Sequence, residues 1–205
     1  MRGKAVLATT NQGKVAELSG ALASFGLTVL GLGDFPGMPE IVEDGASFEE
    51  NALIKARTVA GRTGLVAVAD DSGLEVDALG GAPGIYSARY GADYAPLPGE
   101  SRDARNIRKL LDATRGLPPK RRCCRFVCCM AAVQPGGRSV FVRGEWPGIV
   151  LESPRGENGF GYDPVFFDPD LGRTAAQLSR EEKMAVSHRA RALRALRKAW
   201  ANFAA

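Results

Sequence analysis

Apolar and polar positions change their period several times along the chain, and each change marks an element. Lys4-Ala5-Val6-Leu7-Ala8-Thr9 is a short apolar run of strand length. After the turn Thr10-Asn11-Gln12-Gly13-Lys14, the residues Val15, Leu18, Leu22 and Phe25 recur at helical spacing, and Gly26 stands where a C-terminal cap belongs. Leu27-Thr28-Val29-Leu30 predicts a second strand, and residues 31–45 form a Gly/Pro loop carrying Glu40, Glu43 and Asp44. Ser47 and Glu50 have the spacing of a capping box. The helix they open runs to Arg62, with Ala52, Ala56, Val59 and Ala60 facing inward and Lys55 projecting from its first half.

Leu65-Val66-Ala67-Val68-Ala69 predicts a short buried strand that stops at Asp70-Asp71-Ser72. The glycines and proline that follow, as far as Gly91, predict an irregular and tightly turning backbone. Residues 101–114 read as a helix bearing Arg102, Arg105, Arg108 and Lys109, and Pro118-Pro119 separates it from a strand over residues 123–133. The turn Pro135-Gly136-Gly137 pairs that strand with residues 139–143, and residues 146–152 continue the sheet. A second Gly-rich loop, residues 156–164, holds Phe160 and Tyr162 among glycines. Ser179 and Glu182 repeat the capping-box spacing and open one last helix. Its apolar face includes Leu193, Leu196, Trp200 and Phe203, and another face carries Arg191, Arg194 and Lys198.

Composition narrows the class. The 205 residues suit one domain over residues 1–205, with room for two lobes, and 45% hydrophobic with 24% charged residues is the balance of a soluble globular protein. No apolar run approaches membrane-spanning length, and the apolar residues after Met1-Arg2-Gly3-Lys4 are too few for a signal-peptide core, so a cytoplasmic protein is expected. A net charge of +4 suits an anionic partner. The four cysteines all lie in Cys123-Cys124-Arg125-Phe126-Val127-Cys128-Cys129. Strand alternation puts Cys123 and Cys129 on one face and Cys124 and Cys128 on the other, which favours buried thiols over a zinc site. His188 is the only histidine, which excludes a His-rich metal centre.

Three stretches carry candidate chemistry. Asp70-Asp71-Ser72 at a strand end is a ligand position in open α/β sheets, and equally a solvated turn. In extended backbone the two aspartates point to opposite sides, so one faces a metal and the other is structural. The turn Thr9 to Lys14 opens a helix and offers backbone N–H groups and a lysine to a phosphate, or is a plain capped turn. Ala8 and Val15 exclude a P-loop. Phe160 and Tyr162 either present a stacking platform for a flat base or fold back onto the core. Glu43 lies outside any helix, where Glu49 and Glu50 have capping roles, and is the better candidate metal ligand. The basic strip of the last helix suits nucleic acid or a solvated face.

In chain order, Thr9-Thr10-Asn11-Gln12-Gly13-Lys14, Phe48-Glu49-Glu50-Asn51-Ala52 with Lys55-Ala56-Arg57, Asp70-Asp71-Ser72-Gly73 through Arg89-Tyr90, residues 159–164, and Ser179 to Lys183 with Ser187-His188-Arg189 resemble the inosine triphosphate pyrophosphatase family, over residues 4–197. The resemblance implies an elongated α/β domain of two lobes around a mixed twisted sheet, with the nucleotide in the cleft between them and a homodimer as the assembly. It implies hydrolysis of dITP, ITP and XTP to monophosphate and pyrophosphate with Mg²⁺. Thr9, Thr10, Asn11, Gln12, Gly13 and Lys14 match the triphosphate turn, although the family commonly has Gly or Ser where Thr10 stands. Lys55 is expected on the same phosphates. Asp71 matches the general base and metal ligand, Glu43 falls near the second acidic metal position, and Ser72 is a neighbouring substrate contact. Phe160, Gly161, Tyr162 and Asp163 match the base loop, and Lys183, His188 and Arg189 match the residues that close over the purine. Lys183 and Arg189 are pure donors, suited to a 6-oxo purine and poor partners for an adenine amino group. Two rivals are a different nucleotide diphosphatase, of the type acting on pyrimidine or modified nucleotides, disfavoured by the base-loop block, and a non-catalytic nucleotide or RNA binder using the basic helices, disfavoured by the paired aspartates.

Overall fold

The computed structural model describes residues 3–9, 12–23 and 25–204. Among these, seven strands form one sheet: β1 (Lys4–Leu7), β2 (Thr28–Gly31), β3 (Val66–Val76), β4 (Cys123–Val133), β5 (Ser139–Val150), β6 (Phe166–Asp168) and β7 (Arg173–Thr174), in the order β2-β1-β3-β4-β5-β6-β7. β1 runs parallel to β2 and β3, whereas β6 is antiparallel to β5 and β7, so the sheet is mixed. The helices are α1 (Gln12–Ala23), α2 (Phe48–Thr63), α3 (Arg102–Ala113), α4 (Arg180–Val186) and α5 (His188–Ala204). None of the described helices is long and apolar enough to cross a membrane.

The chain divides into two compact units, each with its own core. The first takes residues 1–71, 128–144 and 191–205. Its core joins Val6, Ala8, Ala67, Ala69, Ala131 and Val133 of the strands to Ala52, Ala56, Val59 and Ala60 of α2. The small residues predicted to face inward let α2 lie close on the sheet. Its start is fixed by Ser47, whose hydroxyl accepts the Glu50 N–H at 3.1 Å. The Glu50 carboxylate accepts the Ala46 N–H at 2.7 Å, one residue further back than a capping box would place it.

The second unit takes residues 72–127 and 145–190. Leu74, Val76, Phe126, Trp146, Val150 and Phe166 pack with Ile107 and Leu110 of α3. The Trp146 indole is wholly buried, and its N–H donates to Asp168 Oδ2 at 2.7 Å.

Four sequence expectations are corrected. β3 does not stop at Ala69 but continues through Asp70-Asp71-Ser72-Gly73 to Val76, and the irregular backbone begins only at the 3-10 turn Asp77–Leu79. α1 begins at Gln12, so Gln12, Gly13 and Lys14 form its first turn; Thr10 and Asn11 lie outside the described residues. The final helix is two helices. Ser187 adopts extended backbone (φ −64°, ψ 160°) and its hydroxyl accepts the Ala190 N–H at 3.3 Å, ending α4 and capping α5. Along β4, Cys124, Cys128 and Cys129 are the buried thiols expected, but Cys123 is exposed. Every residue from Phe126 to Val133 is buried, so that half of the strand is covered on both faces. Burial pushes the Cys124 and Cys129 thiols well up.

The extension of β3 depends on close approach at Gly73. A Cβ there would lie 2.7 Å from the Gly84 carbonyl oxygen and 2.9 Å from Ser87 Cβ. Ser87 Oγ accepts the Leu74 N–H at 2.9 Å and donates to Gly84 O at 2.6 Å, which holds this backbone in place. Gly73→Ala is expected to cost about 1–3 kcal/mol by overpacking, read as a lower urea midpoint; an unchanged midpoint would show that the Ser87 turn yields freely.

Candidate active site

Two clusters of buried ionic groups stand out, one in each unit. In the first, α2 carries Asn51 and Lys55 one turn apart on the same face. Asn51 Nδ2 donates to Asp71 Oδ2 at 3.1 Å. Lys55 Nζ donates to Asp71 Oδ1 at 3.3 Å and to Glu43 Oε2 at 3.0 Å. Asn51 also uses its other end, with Oδ1 accepting the Gly45 N–H at 2.9 Å. One buried amide therefore orients the Asp71 carboxylate and anchors the loop that bears Glu43. The Lys55 and Asp71 side chains are 9% and 12% exposed and Glu43 is 37% exposed, so the acids approach the ammonium from an inner and an outer side. Burial works against the Lys55 ammonium, but Asp71, Asp70 and Glu43 outweigh it and hold its pKa above the ordinary lysine value.

This arrangement converges hard oxygen donors on a positive centre, the donor type a divalent ion such as Mg²⁺ takes. The Lys55 ammonium stands in that position. Glu43 and Asp71, the acids expected to hold a metal, are thus brought together by one lysine. Among the described residues no group of three or more His, Cys, Asp or Glu forms a closed metal cage. Asp70 is buried (1% exposed), and its charge also acts on the Lys55 ammonium.

In the second unit, the loop over residues 156–162 is tied down at several points. Asn158 N–H donates to Ala176 O at 3.0 Å and Asn158 Nδ2 to Leu178 O at 3.1 Å. Gly161 N–H donates to Asp103 Oδ2 at 2.8 Å. Gly159 and Gly161 take positive φ (78° and 61°), which lets the chain double back at Phe160. Phe160 N–H donates to Asp163 Oδ2 at 2.9 Å, and the same oxygen takes the Lys183 ammonium. Asp163 is 2% exposed; burial raises its carboxyl above the usual range, opposed by the Lys183 charge.

The two loop aromatics part company. Phe160 is 41% exposed, with Lys183 Nζ 5.0 Å and Arg189 Cζ 5.8 Å from its ring centroid. Tyr162 folds into the core and its hydroxyl donates to Ser87 O at 2.9 Å. Phe160 therefore keeps a stacking face, and Tyr162 serves as an anchor. Arg189 is buried and donates to Ser72 Oγ at 3.3 Å, which joins two expected substrate contacts. His188 is buried with its ring stacked on Phe126, centroids 4.8 Å apart.

Of the expected triphosphate turn, Thr9 is described, with its N–H on Leu7 O at 3.0 Å, and Gln12, Gly13 and Lys14 are described as helical backbone. The basic strip Arg191, Arg194 and Lys198 is a solvent-exposed face. Sequence reading did not single out Asn51 or Asp103. Asn51 had a usable signal, standing four residues before Lys55; Asp103, in the first turn of α3, had none. A cavity of about 830 Å³ borders α3 and the loop, but Asp163, Lys183 and Arg189 do not line it. Its charged walls neutralise one another, Arg122 with Glu152 and Arg115 with Asp112.

The Ham1 family model matches residues 5–199. The dITP/XTP pyrophosphatase of Nitratidesulfovibrio vulgaris is 60% identical over 198 residues, 97% of this chain and 96% of that protein. The dITP/XTP pyrophosphatase of Geobacillus kaustophilus is 47% identical, covering 95% and 93%. The solved structure of a HAM1 protein from Coxiella burnetii is 40% identical with a TM-score of 0.87, covering 98% of this chain and 99% of that one.

Asn51→Ala removes a donor to Asp71 and the acceptor of Gly45 N–H. It is expected to lower stability by about 1–3 kcal/mol, measured by thermal unfolding. A variant as stable as the parent would show that water replaces both contacts.

Proposed function

The chain belongs to the Ham1 family, and from that premise we propose that it hydrolyses non-standard purine nucleoside triphosphates (dITP, ITP and XTP) to the monophosphate and pyrophosphate. The observation that carries the mechanism is the buried Asp71, with one carboxylate oxygen fixed by Asn51 and the other taking the Lys55 ammonium, which also pairs with Glu43. A carboxylate held this way has a defined lone pair to offer the attacking water. Asp71 accepts its proton, or orients it, for in-line attack at the α-phosphorus. Lys55 supplies positive charge to the phosphates, and the start of α1 at Gln12 offers backbone N–H groups with the Lys14 charge. Thr9, Thr10, Asn11 and Gly13 complete that turn in this reading.

Two carboxylates already sharing one cation fit Mg²⁺, which binds through one or two carboxylates and the substrate phosphates. Asp71 and Glu43 would hold it, and its charge would stabilise the departing pyrophosphate. In the second unit, Phe160 offers a face to the base, and Lys183 and Arg189 offer donors to a 6-oxo group. Asp163 orients Lys183, Ser72 steadies Arg189, and Gly161, Tyr162 and His188 fix the loop and helix start that carry these groups. An adenine amino group would leave buried donors unpaired, which penalises ATP. The reading carries a single nucleotide-hydrolysing domain over residues 1–205, acting as a cytoplasmic homodimer on small nucleotides rather than on nucleic acid or membranes.

Incubation with Mg²⁺ and a panel of purine triphosphates is expected to yield pyrophosphate from dITP, ITP and XTP; stepwise release of orthophosphate would overturn the reading. Asp71→Asn is expected to lose at least about 100-fold in kcat while dITP binding by calorimetry is largely kept. Surviving turnover would remove Asp71 from the role of base.

A further inference from the structure

Lys55 makes ion pairs to both acids of the first-unit cluster at once, at 3.0 Å to Glu43 and 3.3 Å to Asp71. Each acid presents one oxygen to the same ammonium, and the second Asp71 oxygen is already taken by Asn51. Asp70 is buried alongside. Two carboxylates that meet on one ammonium, with buried Asp70 acting on the same charge, need a positive charge among them. The free protein supplies its own.

We infer that Lys55 is a resident counter-cation, and that its ammonium and a divalent metal are alternative occupants of the Glu43–Asp71 pair. A metal ion accepting the same two oxygens would stand where the ammonium stands, and two positive centres cannot share that point. The ammonium sits on a flexible four-carbon stem, unlike the backbone-anchored Asn51, so it is the group able to leave. Triphosphate oxygens offer it a new partner when the acids turn to the metal. Lys55 therefore keeps metal affinity low in the free protein and high only when nucleotide is present. By linkage, metal and nucleotide each strengthen the other's binding. The inference rests on the proposed metal-assisted reaction at this site, and it assigns the lysine a role before substrate arrives.

The test is Mn²⁺ binding to nucleotide-free protein, followed by electron paramagnetic resonance of the free ion, with stability followed by thermal unfolding. Lys55→Met is expected to bind Mn²⁺ at least about tenfold more tightly than wild type. Lys55→Arg, which keeps the charge, is expected to show no gain. Adding Glu43→Gln to Lys55→Met is expected to abolish the gain, which maps the ion to this pair. If Lys55→Met is unfolded without metal, restoration of a cooperative transition by Mg²⁺ supports the inference, and failure of Mg²⁺ to restore it overturns it. A folded Lys55→Met that binds Mn²⁺ no better than wild type also overturns it. Turnover is scored separately. A wild type that releases no pyrophosphate from dITP, beside a Lys55→Met with the metal gain, would sink the functional reading and leave the counter-cation standing.

Discussion

Burying two neighbouring carboxylates in the middle of a strand is the constraint on which the first unit depends. Asp70 and Asp71 are both nearly inaccessible, and low-dielectric surroundings drive such groups toward protonation unless a partner is supplied. α2 supplies one. Its alanines seat it close on the sheet, and the face that results carries Asn51 and Lys55 to Asp71. Removing one partner of a buried pair typically costs about 3–5 kcal/mol, so the helix, the strand and the loop bearing Glu43 are held by one set of charges. The residues that make the fold tolerate Asp71 are also the ones that fix the direction of its carboxylate.

The second unit uses the same device for a different purpose. Asp163 is buried under the loop over residues 156–162, takes the Phe160 N–H, and pairs with Lys183. Here the carboxylate aims a lysine rather than being aimed by one. Held by Asp163, Lys183 lies over an exposed Phe160 ring, and Arg189, tied to Ser72, approaches the same ring. Exposed pairs such as Arg115–Asp112 lie outside both clusters and contribute little, because solvent screens them.

Much of this scaffold was legible from local signals. Ser47, the alanine stripe and Lys55 defined α2 within a residue of its observed end, and the cysteine run defined β4, because capping and periodicity act over a single turn or pleat. The continuation of β3 through Asp70 to Gly73 was not legible. Asp, Ser and Gly favour turns when only their neighbours are counted. Here that preference is overruled by Asn51, twenty residues before Asp71, and by Ser87, thirteen residues after Leu74. The break at Ser187 was hidden for the opposite reason: a single hydroxyl capping α5 leaves no glycine or proline to mark it.

The amino-acid sequence by itself determined the inventory: which acids, lysines, glycines and aromatics occur, in what order, and which stretches carry a helical or strand period. It placed Glu43, Lys55, Asp71, Asp163 and Lys183 among the residues of interest through chemistry and resemblance. Only the tertiary structure decided the pairings. Lys55 reaches both acids, Phe160 faces solvent while Tyr162 turns inward, and Asp163 takes Lys183. Charge and burial act through space and are blind to chain separation, so these outcomes exist only once distant segments have been packed together.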